Sequence, residues 1–167
     1  NNDKESYKKY LKCKDKGIQL IMIYDYEWKM YKEKIKSYLM SQLKIFSSVI
    51  DQKDTIIKGV EVDECKKFLD SNFLFNTKIE KIRLGLYHNG DLIEIEEFRK
   101  YGQDKYEIIC ECNYKNIVVR GGTYKLLSYF IDTYKPKQIK YKSNNRLFSG
   151  KSCTKHGFKY IKDVCHS

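Results

Sequence analysis

A strand-like run that ends at two adjacent glycines places the strongest constraint on how this chain can fold. The apolar residues 117–119 lead into Arg120-Gly121-Gly122-Thr123, and apolar residues then recur at helical spacing from Leu126 onward. A glycine-rich turn between a strand and a helix presents backbone N–H groups at the positive end of the helix, where phosphate or pyrophosphate can bind. The turn predicts an α/β arrangement and leaves two interpretations open: a phosphate-binding site, or a tight turn without a ligand.

The length and apolar content of the chain limit its organisation. With 167 residues and 41% apolar residues, it can form one domain, or one domain with a small appendage. No apolar run approaches the roughly 18–20 residues of a membrane-spanning helix, so we expect no membrane partner. The chain opens on Asn1-Asn2-Asp3-Lys4 and not on methionine, which indicates a trimmed chain or a fragment of a longer protein.

The cysteines and the overall composition favour a cytoplasmic protein. Six cysteines are irregularly spaced and no secretion signal is present, so reduced thiols are expected. Cys110 and Cys112 together with Cys153 and His156 do not have the spacing of a usual zinc site, so we expect no metal. Abundant Lys, Ile, Asn and Tyr with a single proline are typical of AT-rich phage genomes, which suggests the cytoplasm of a phage-infected host cell.

Positive charge is concentrated toward both ends of the chain. Residues 1–50 carry 11 Lys and Arg against 6 Asp and Glu, residues 51–100 carry 9 against 11, and residues 101–167 carry 13 against 5. In the last stretch basic and aromatic residues are interleaved, which is typical of a nucleic-acid-binding surface. The alternative is a solvated lysine-rich surface without such a partner. The predicted phosphate contacts are Lys137, Lys140, Lys142, Arg146, Lys151 and Lys155.

The first 45 residues predict a helix–strand–helix unit. Asp3 can cap a first helix that stops at Gly17, and the apolar run 18–24 has the length of a strand. A second helix is predicted from Asp25 onward. Residues 44–54 are polar and without periodicity, so they predict a linker.

From Thr55 a second unit of mixed helices and strands is predicted. Asn89-Gly90 between two alternating runs, 83–87 and 92–98, is a strong hairpin signal. The other predicted elements are strands at 55–62, 106–112, 117–119, 138–141 and 158–161, a short helix after Asp63, a helix from the double glycine to Tyr134, and a less regular helix before His156-Gly157.

This order of elements resembles the GNAT acyltransferase fold over residues 55–164. The likeness rests on the order together with Gly85-Leu86-Tyr87-His88-Asn89-Gly90-Asp91-Leu92, Gly121-Gly122-Thr123-Tyr124-Lys125-Leu126-Leu127 and His156-Gly157-Phe158. In that family the glycine turn holds the pyrophosphate of acyl-CoA, so the resemblance implies acetyl-CoA as a cofactor, bound by Arg120, Gly121, Gly122 and Thr123. The family pattern has Gln or Arg at Val118 and a small residue at Thr123, and these departures favour a turn that has lost its ligand.

The same resemblance implies a general acid and a general base for acyl transfer. The acid, often a tyrosine, is expected near Cys153, with Tyr141 or Tyr160 as a nearby substitute. Glu107 and Glu111 are candidates for the base, and strand alternation predicts that both point to the same face. The alternative for the two glutamates is a solvated strand face.

A closer likeness is to phage-type homing endonucleases, in which a nuclease domain similar to very-short-patch repair endonucleases precedes a GNAT-like domain. Residues 7–43 resemble the end of that nuclease fold, through Lys16-Gly17-Ile18-Gln19-Leu20-Ile21 and Tyr24-Asp25-Tyr26-Glu27-Trp28. The metal-binding acids and catalytic histidine of such nucleases lie upstream of this segment. The resemblance therefore implies that this chain has no nuclease centre of its own.

Three functions are hypotheses at this point. The first is a phage or mobile-element protein with a degenerate GNAT-like domain that binds nucleic acid. The second is an active acetyl-CoA-dependent N-acyltransferase. The third is a phage factor that binds a host protein complex.

Overall fold

A computed structural model describes residues 2–148 and 151–163 of the chain. The elements are α1 (Asn2–Asp15), α2 (Asp25–Gln42), β1 (Ser48–Asp51), a 3₁₀ turn (Gln52–Asp54), β2 (Ile56–Gly59), α3 (Val62–Asn72), β3 (Ile82–His88), β4 (Asp91–Gly102), β5 (Lys105–Asn113), β6 (Ile117–Arg120), α4 (Gly122–Tyr134), β7 (Gln138–Tyr141) and α5 (Lys151–Lys155). Helices accompany a mixed sheet, which confirms the predicted α/β class.

The chain divides into two compact units. The terminal unit joins Asn1–Trp28 to Lys142–Ser167, and the sheet unit comprises Lys29–Tyr141. This division differs from the predicted one, which separated residues 1–45 from residues 55–164. Residues 29–42 of α2 belong to the sheet unit, where Ser37 Oγ accepts a 3.0 Å hydrogen bond from the Asn116 N–H.

Five strands form the main sheet, in the order β2-β3-β4-β5-β7. The pairings from β2 to β5 are antiparallel, whereas β5 and β7 run parallel. The predicted hairpin is confirmed, since Asn89 and Gly90 join β3 to β4 with φ angles of 52° and 92°. β7 pairs with β5 only from Lys105 to Ile108, so the second half of β5 extends past the end of β7.

Helices α3 and α4 pack on opposite faces of this sheet. On one face Ile95 of β4 lies in a buried apolar cluster with Cys65 and Phe68 of α3. On the other face the ring of Phe98 stacks on Phe130 of α4, with centroids 3.8 Å apart. Alternation along β4 sends Ile95 and Phe98 to opposite sides, so each face has its own apolar core.

The predicted linker at 44–54 is wrong, because residues 48–51 form β1. This strand pairs in parallel with β6, with Val49 opposite Val118 and Ile50 opposite Val119. The 3₁₀ turn follows directly, and the Asp51 carboxylate caps it by accepting a 3.1 Å hydrogen bond from the Lys53 N–H. A four-residue strand with a partner far along the chain leaves little local signal.

In the terminal unit α1 confirms the first predicted helix, but the strands predicted at 18–24 and 158–161 are wrong. Within the described residues, the first segment forms no strand ladder, although the Met22 N–H donates to the Arg146 carbonyl at 3.0 Å. The second segment leaves Tyr160 and Ile161 exposed, by 67% and 80%. An apolar run becomes a strand only where a neighbouring strand takes up its backbone hydrogen bonds.

Candidate functional site

The predicted strand–turn–helix around the two glycines is present in the sheet unit. β6 ends at Arg120, Gly121 is the left-handed N-cap residue (φ 78°, ψ 8°), and α4 begins at Gly122. Gly121 provides no side-chain cap for the helix. The first-turn N–H groups of α4 therefore receive no acceptor from the cap residue.

Side chains of the same unit approach both glycines closely. A Cβ at Gly121 would lie 2.8 Å from Gln52 Cδ, and a Cβ at Gly122 would clash with Glu94 Oε2 and lie 2.9 Å from Val119 Cβ. Space for a side chain is therefore lacking at Gly122, whereas at Gly121 the end of the Gln52 side chain could move and the left-handed φ of 78° is what requires glycine. The packing and the backbone conformation of the turn therefore explain both glycines without a ligand. This agrees with the interpretation of the sequence as a tight turn.

Glu94 brings a carboxyl group against the first turn of α4. The residue is 4% exposed, and its Oε1 accepts a 3.2 Å hydrogen bond from Thr123 Oγ1. Burial raises the pKa of Glu94 to about 8, although the Thr123 hydrogen bond acts in the opposite direction. With that pKa the group is mostly protonated at neutral pH, so it would repel a phosphate by charge only at higher pH. What disfavours a ligand at Gly122 is space, because Glu94 Oε2 already lies against the inner side of the turn.

Glu94 belongs to a group of three glutamates, the carboxyl trio, which also includes Glu96 and Glu111. Glu96 lies directly opposite Glu111 on β5 and two residues from Glu94, so all three side chains share the α4 face of the sheet. Glu96 is 1% exposed, and neither of its carboxyl oxygens has a hydrogen-bond partner among the described residues. Burial, followed by the charges of Glu111 and Glu94, raises the pKa of Glu96 well above its ordinary range.

Within the carboxyl trio, Glu94 and Glu96 are suited to holding protons, because their pKa values are raised. Carboxyl groups with a pKa near neutrality can accept or donate a proton in catalysis, and they also make the stability of a fold depend on pH.

Within residues 2–148 and 151–163 no group of His, Cys, Asp or Glu side chains has the arrangement of a metal site.

The two glutamates proposed as a general base lie on opposite faces of the sheet, so the prediction that they share one face is wrong. β5 has a bulge at Ile109, because Glu97 pairs with Cys110 and Phe98 pairs with Ile108. The extra residue shifts the alternation by one position. Glu107 is buried on the α3 face and forms an ion pair of 3.5 Å with Lys140, whereas Glu111 joins the trio.

The candidate general acid and the candidate turn fall in different units. Cys153 lies on the short helix α5 of the terminal unit and is partly buried. The turn residues Arg120 to Thr123, with Glu107 and Glu111, lie in the sheet unit. Arg120 is exposed at the end of β6, opposite Asp51 in the strand register.

Three residues near the turn were not identified from the sequence: Gln52, Glu94 and Lys125. Lys125 Nζ donates to Gln52 O at 2.7 Å, to Thr55 O at 2.6 Å and to Thr55 Oγ1 at 3.1 Å, which fastens α4 to the 3₁₀ turn. A signal for Glu94 did exist, because Glu94, Glu96 and Glu97 interrupt the otherwise apolar run 92–98. Polar residues within such a strand indicate buried carboxyl groups or a solvated face, and the sequence does not distinguish them.

The predicted phosphate contacts do not form one set. Lys137 and Lys140 lie in the sheet unit, paired with Asp104 at 3.1 Å and with Glu107 at 3.5 Å. Arg146 is largely buried in the terminal unit, where both of its terminal nitrogens lie 2.6 Å from the Glu27 carboxylate. Lys142 and Lys155 are exposed in the terminal unit, and the side chain of Lys151 lies outside the described residues. Arg146 therefore has a structural role.

The terminal unit carries a high density of positive charge, most of it on residues outside the predicted set. It has 12 Lys and Arg against 6 Asp and Glu in 54 residues, net +6, whereas the sheet unit has 21 against 16 in 113 residues, net +5. Among the side chains that the structure describes in this unit, ten lysines are exposed: Lys4, Lys8, Lys9, Lys12, Lys14, Lys16, Lys142, Lys155, Lys159 and Lys162. Six of these lie on α1 or in the turn that follows it, and none of the six is among the predicted phosphate contacts.

Comparisons with protein-family models and with curated protein sequences found no match. Among the described residues, no helix has both the length and the apolar character that a membrane span requires.

Proposed function

We propose that this chain is a nucleic-acid-binding protein of phage or mobile-element type, in which the terminal unit contacts the phosphate backbone. The observation that supports the proposal is the net charge of +6 on the 54 residues of the terminal unit, with ten exposed lysines. Neutralising phosphates with lysines releases condensed counterions, which is the main source of affinity without sequence preference. In this proposal the sheet unit is a degenerate GNAT-like domain that provides a scaffold.

Fluorescence anisotropy of labelled oligonucleotides tests the proposal. Affinity should fall steeply as salt rises from about 50 to 200 mM. Each phosphate contact steepens the slope of the logarithm of the binding constant against the logarithm of the salt concentration by about 0.7 to 0.9. Absence of binding at low salt, or binding that does not respond to salt, would refute it.

An acetyl-CoA-dependent N-acyltransferase is the second candidate, and the strand order of the sheet unit favours it. Strands β2 to β5 are antiparallel and β5 and β7 run parallel, so the main sheet is mixed, as the GNAT resemblance implies. The buried carboxyl of Glu94 beside Gly122 argues against it, because the turn would have to accept a pyrophosphate there.

Calorimetric titration with acetyl-CoA separates these two candidates. Nucleic-acid binding by a degenerate domain predicts no heat of binding even at millimolar acetyl-CoA. Saturable micromolar binding that is weakened by Arg120→Ala would instead support the acyltransferase, since Arg120 is exposed beside the turn.

A further inference from the structure

We infer that the terminal unit takes single-stranded nucleic acid, with an unpaired base stacked on the exposed ring pair Tyr24–Tyr26. This inference rests on the proposed function and adds the form of the nucleic acid and the residues that hold a base. The two rings are nearly parallel, with an interplanar angle of 12° and centroids 5.7 Å apart. Tyr24 is 41% exposed and has the Arg146 guanidinium over its ring, whereas Tyr26 is 59% exposed, so Tyr26 is the ring that offers a face to a ligand.

Tyr24, the ring on which Tyr26 stacks, is held in place before any ligand arrives. The guanidinium of Arg146 lies 4.8 Å from the centre of the Tyr24 ring, and its two terminal nitrogens donate to the Glu27 carboxylate at 2.6 Å. The Tyr24 N–H donates to the same carboxylate at 2.9 Å, and Arg146 also donates to Met22 O at 2.6 Å. Binding to a surface fixed in this way costs little conformational entropy.

The charge of the terminal unit as a whole fits a polyanion. The unit has a net charge of +6 and ten exposed lysines, and Asp25, between the two tyrosines in the sequence, is exposed. A flat aromatic surface accompanied by lysines matches a base and its phosphates. Bases in a duplex are already stacked on each other, so an exposed ring binds an unpaired base more readily than a paired one.

Anisotropy titrations with a labelled oligothymidine and with a duplex of the same length test the inference. Wild-type protein should bind the single strand more tightly than the duplex at equal salt. Tyr26→Ala should weaken single-strand binding by about ten- to a hundredfold, the range expected for one stacked base, and leave duplex binding unchanged. Tyr26→Phe should retain the affinity, because it keeps the ring.

The matched control is Tyr129→Ala on α4 of the sheet unit, where a tyrosine is 44% exposed, and it should not change binding. A second readout is photocrosslinking to halogenated deoxyuridine, with Tyr26 expected as the crosslinked residue in mass spectrometry. Salt-dependent binding that Tyr26→Ala leaves intact, or a preference for duplex, would overturn this inference alone. Failure to bind either oligonucleotide would refute the proposed function as well. If the protein instead bound polyglutamate in a Tyr26-dependent way, the partner would be an acidic protein and the inference would be overturned.

Discussion

Thr123 Oγ1 donates a 3.2 Å hydrogen bond to Glu94 Oε1, and this contact ties the first turn of α4 to the centre of the main sheet. The same carboxyl group approaches the backbone of Gly122 so closely that no side chain fits there. A turn with the appearance of a phosphate site is thus occupied, on its inner side, by an acidic group from the same unit.

The burial of Glu94 predicts that stability falls as the pH rises. Its pKa is raised from 4.5 to about 8, so the folded chain keeps a proton that the unfolded chain releases. The stability contribution is complete below pH 4.5 and is lost progressively up to about pH 8, at a cost of about 1.4 kcal/mol per pH unit. Glu94→Gln should therefore flatten the dependence of the melting temperature on pH. At pH 8 the variant should have a higher melting temperature than the wild type.

Glu33→Gln is the control for this measurement, because Glu33 is exposed and paired only with Lys36 along the surface of α2. Its pH profile should match that of the wild type. Parallel profiles for wild type and Glu94→Gln would show that Glu94 is not protonated in the folded chain.

Alanine at Gly122 should destabilise the protein because of the close approach of Glu94, although alanine has a higher helix propensity than glycine. Alanine stabilises a helix by about 1 kcal/mol relative to glycine. At Gly122 the new Cβ meets Glu94 Oε2 and Val119, so Gly122→Ala should destabilise the protein by about 1–3 kcal/mol in denaturant unfolding.

Two further variants sharpen that prediction. Gly102→Ala should have little effect, since the nearest atom to its Cβ, Lys105 Cδ, is 3.5 Å away. Combining Gly122→Ala with Glu94→Ala should recover part of the loss, which a double-mutant cycle measures as a coupling energy. Strict additivity of the two substitutions would exclude the contact as the cause.

The Glu27–Arg146 pair should be important for the terminal unit, because it connects the two chain ends. Both side chains are largely buried, with exposures of 17% and 15%. Burial pushes the pKa of Glu27 upward, but the hydrogen bonds from Arg146 and from the Tyr24 N–H prevail and lower it. A lowered pKa contributes stability above the ordinary value of 4.5, and that stability is lost as the pH falls through the folded-state value.

Arg146→Met should therefore cost roughly 2 kcal/mol and expose residues 1–28 to trypsin at neutral pH. The control is Lys36→Met, which removes an exposed ion pair with Glu33 and should cost less than about 0.5 kcal/mol. Equal protease resistance of Arg146→Met and wild type would contradict the structural role of Arg146.

Elements with a local signal could be predicted from the sequence. Asn89-Gly90 specifies its hairpin because the left-handed turn conformation suits these residue types. The change at Gly121-Gly122 from a strand to a helical pattern was equally clear, and both α1 and α4 are present where they were expected. The fold class follows from such signals.

Features that depend on distant contacts could not be predicted. The runs 18–24 and 158–161 are apolar, yet no neighbouring strand completes them among the described residues. The bulge at Ile109 reverses the face of Glu111, and no residue type marks it. The burial of Glu94 arises from the packing of α4 on β4, and the ion pair of Arg146 arises from contact between the two chain ends.

The most direct measurement is the salt dependence of oligonucleotide affinity for two triple variants with the same change in charge. Lys8, Lys9 and Lys12 are exposed on α1, whereas Lys67, Lys78 and Lys81 are exposed in the sheet unit. Replacing the first three with glutamine should weaken binding at least tenfold and reduce the logarithmic salt slope by about 2, at roughly 0.7 per lost contact. Replacing the second three should leave both nearly unchanged. Equal effects of the two variants, or none from the first, would contradict binding through the terminal unit.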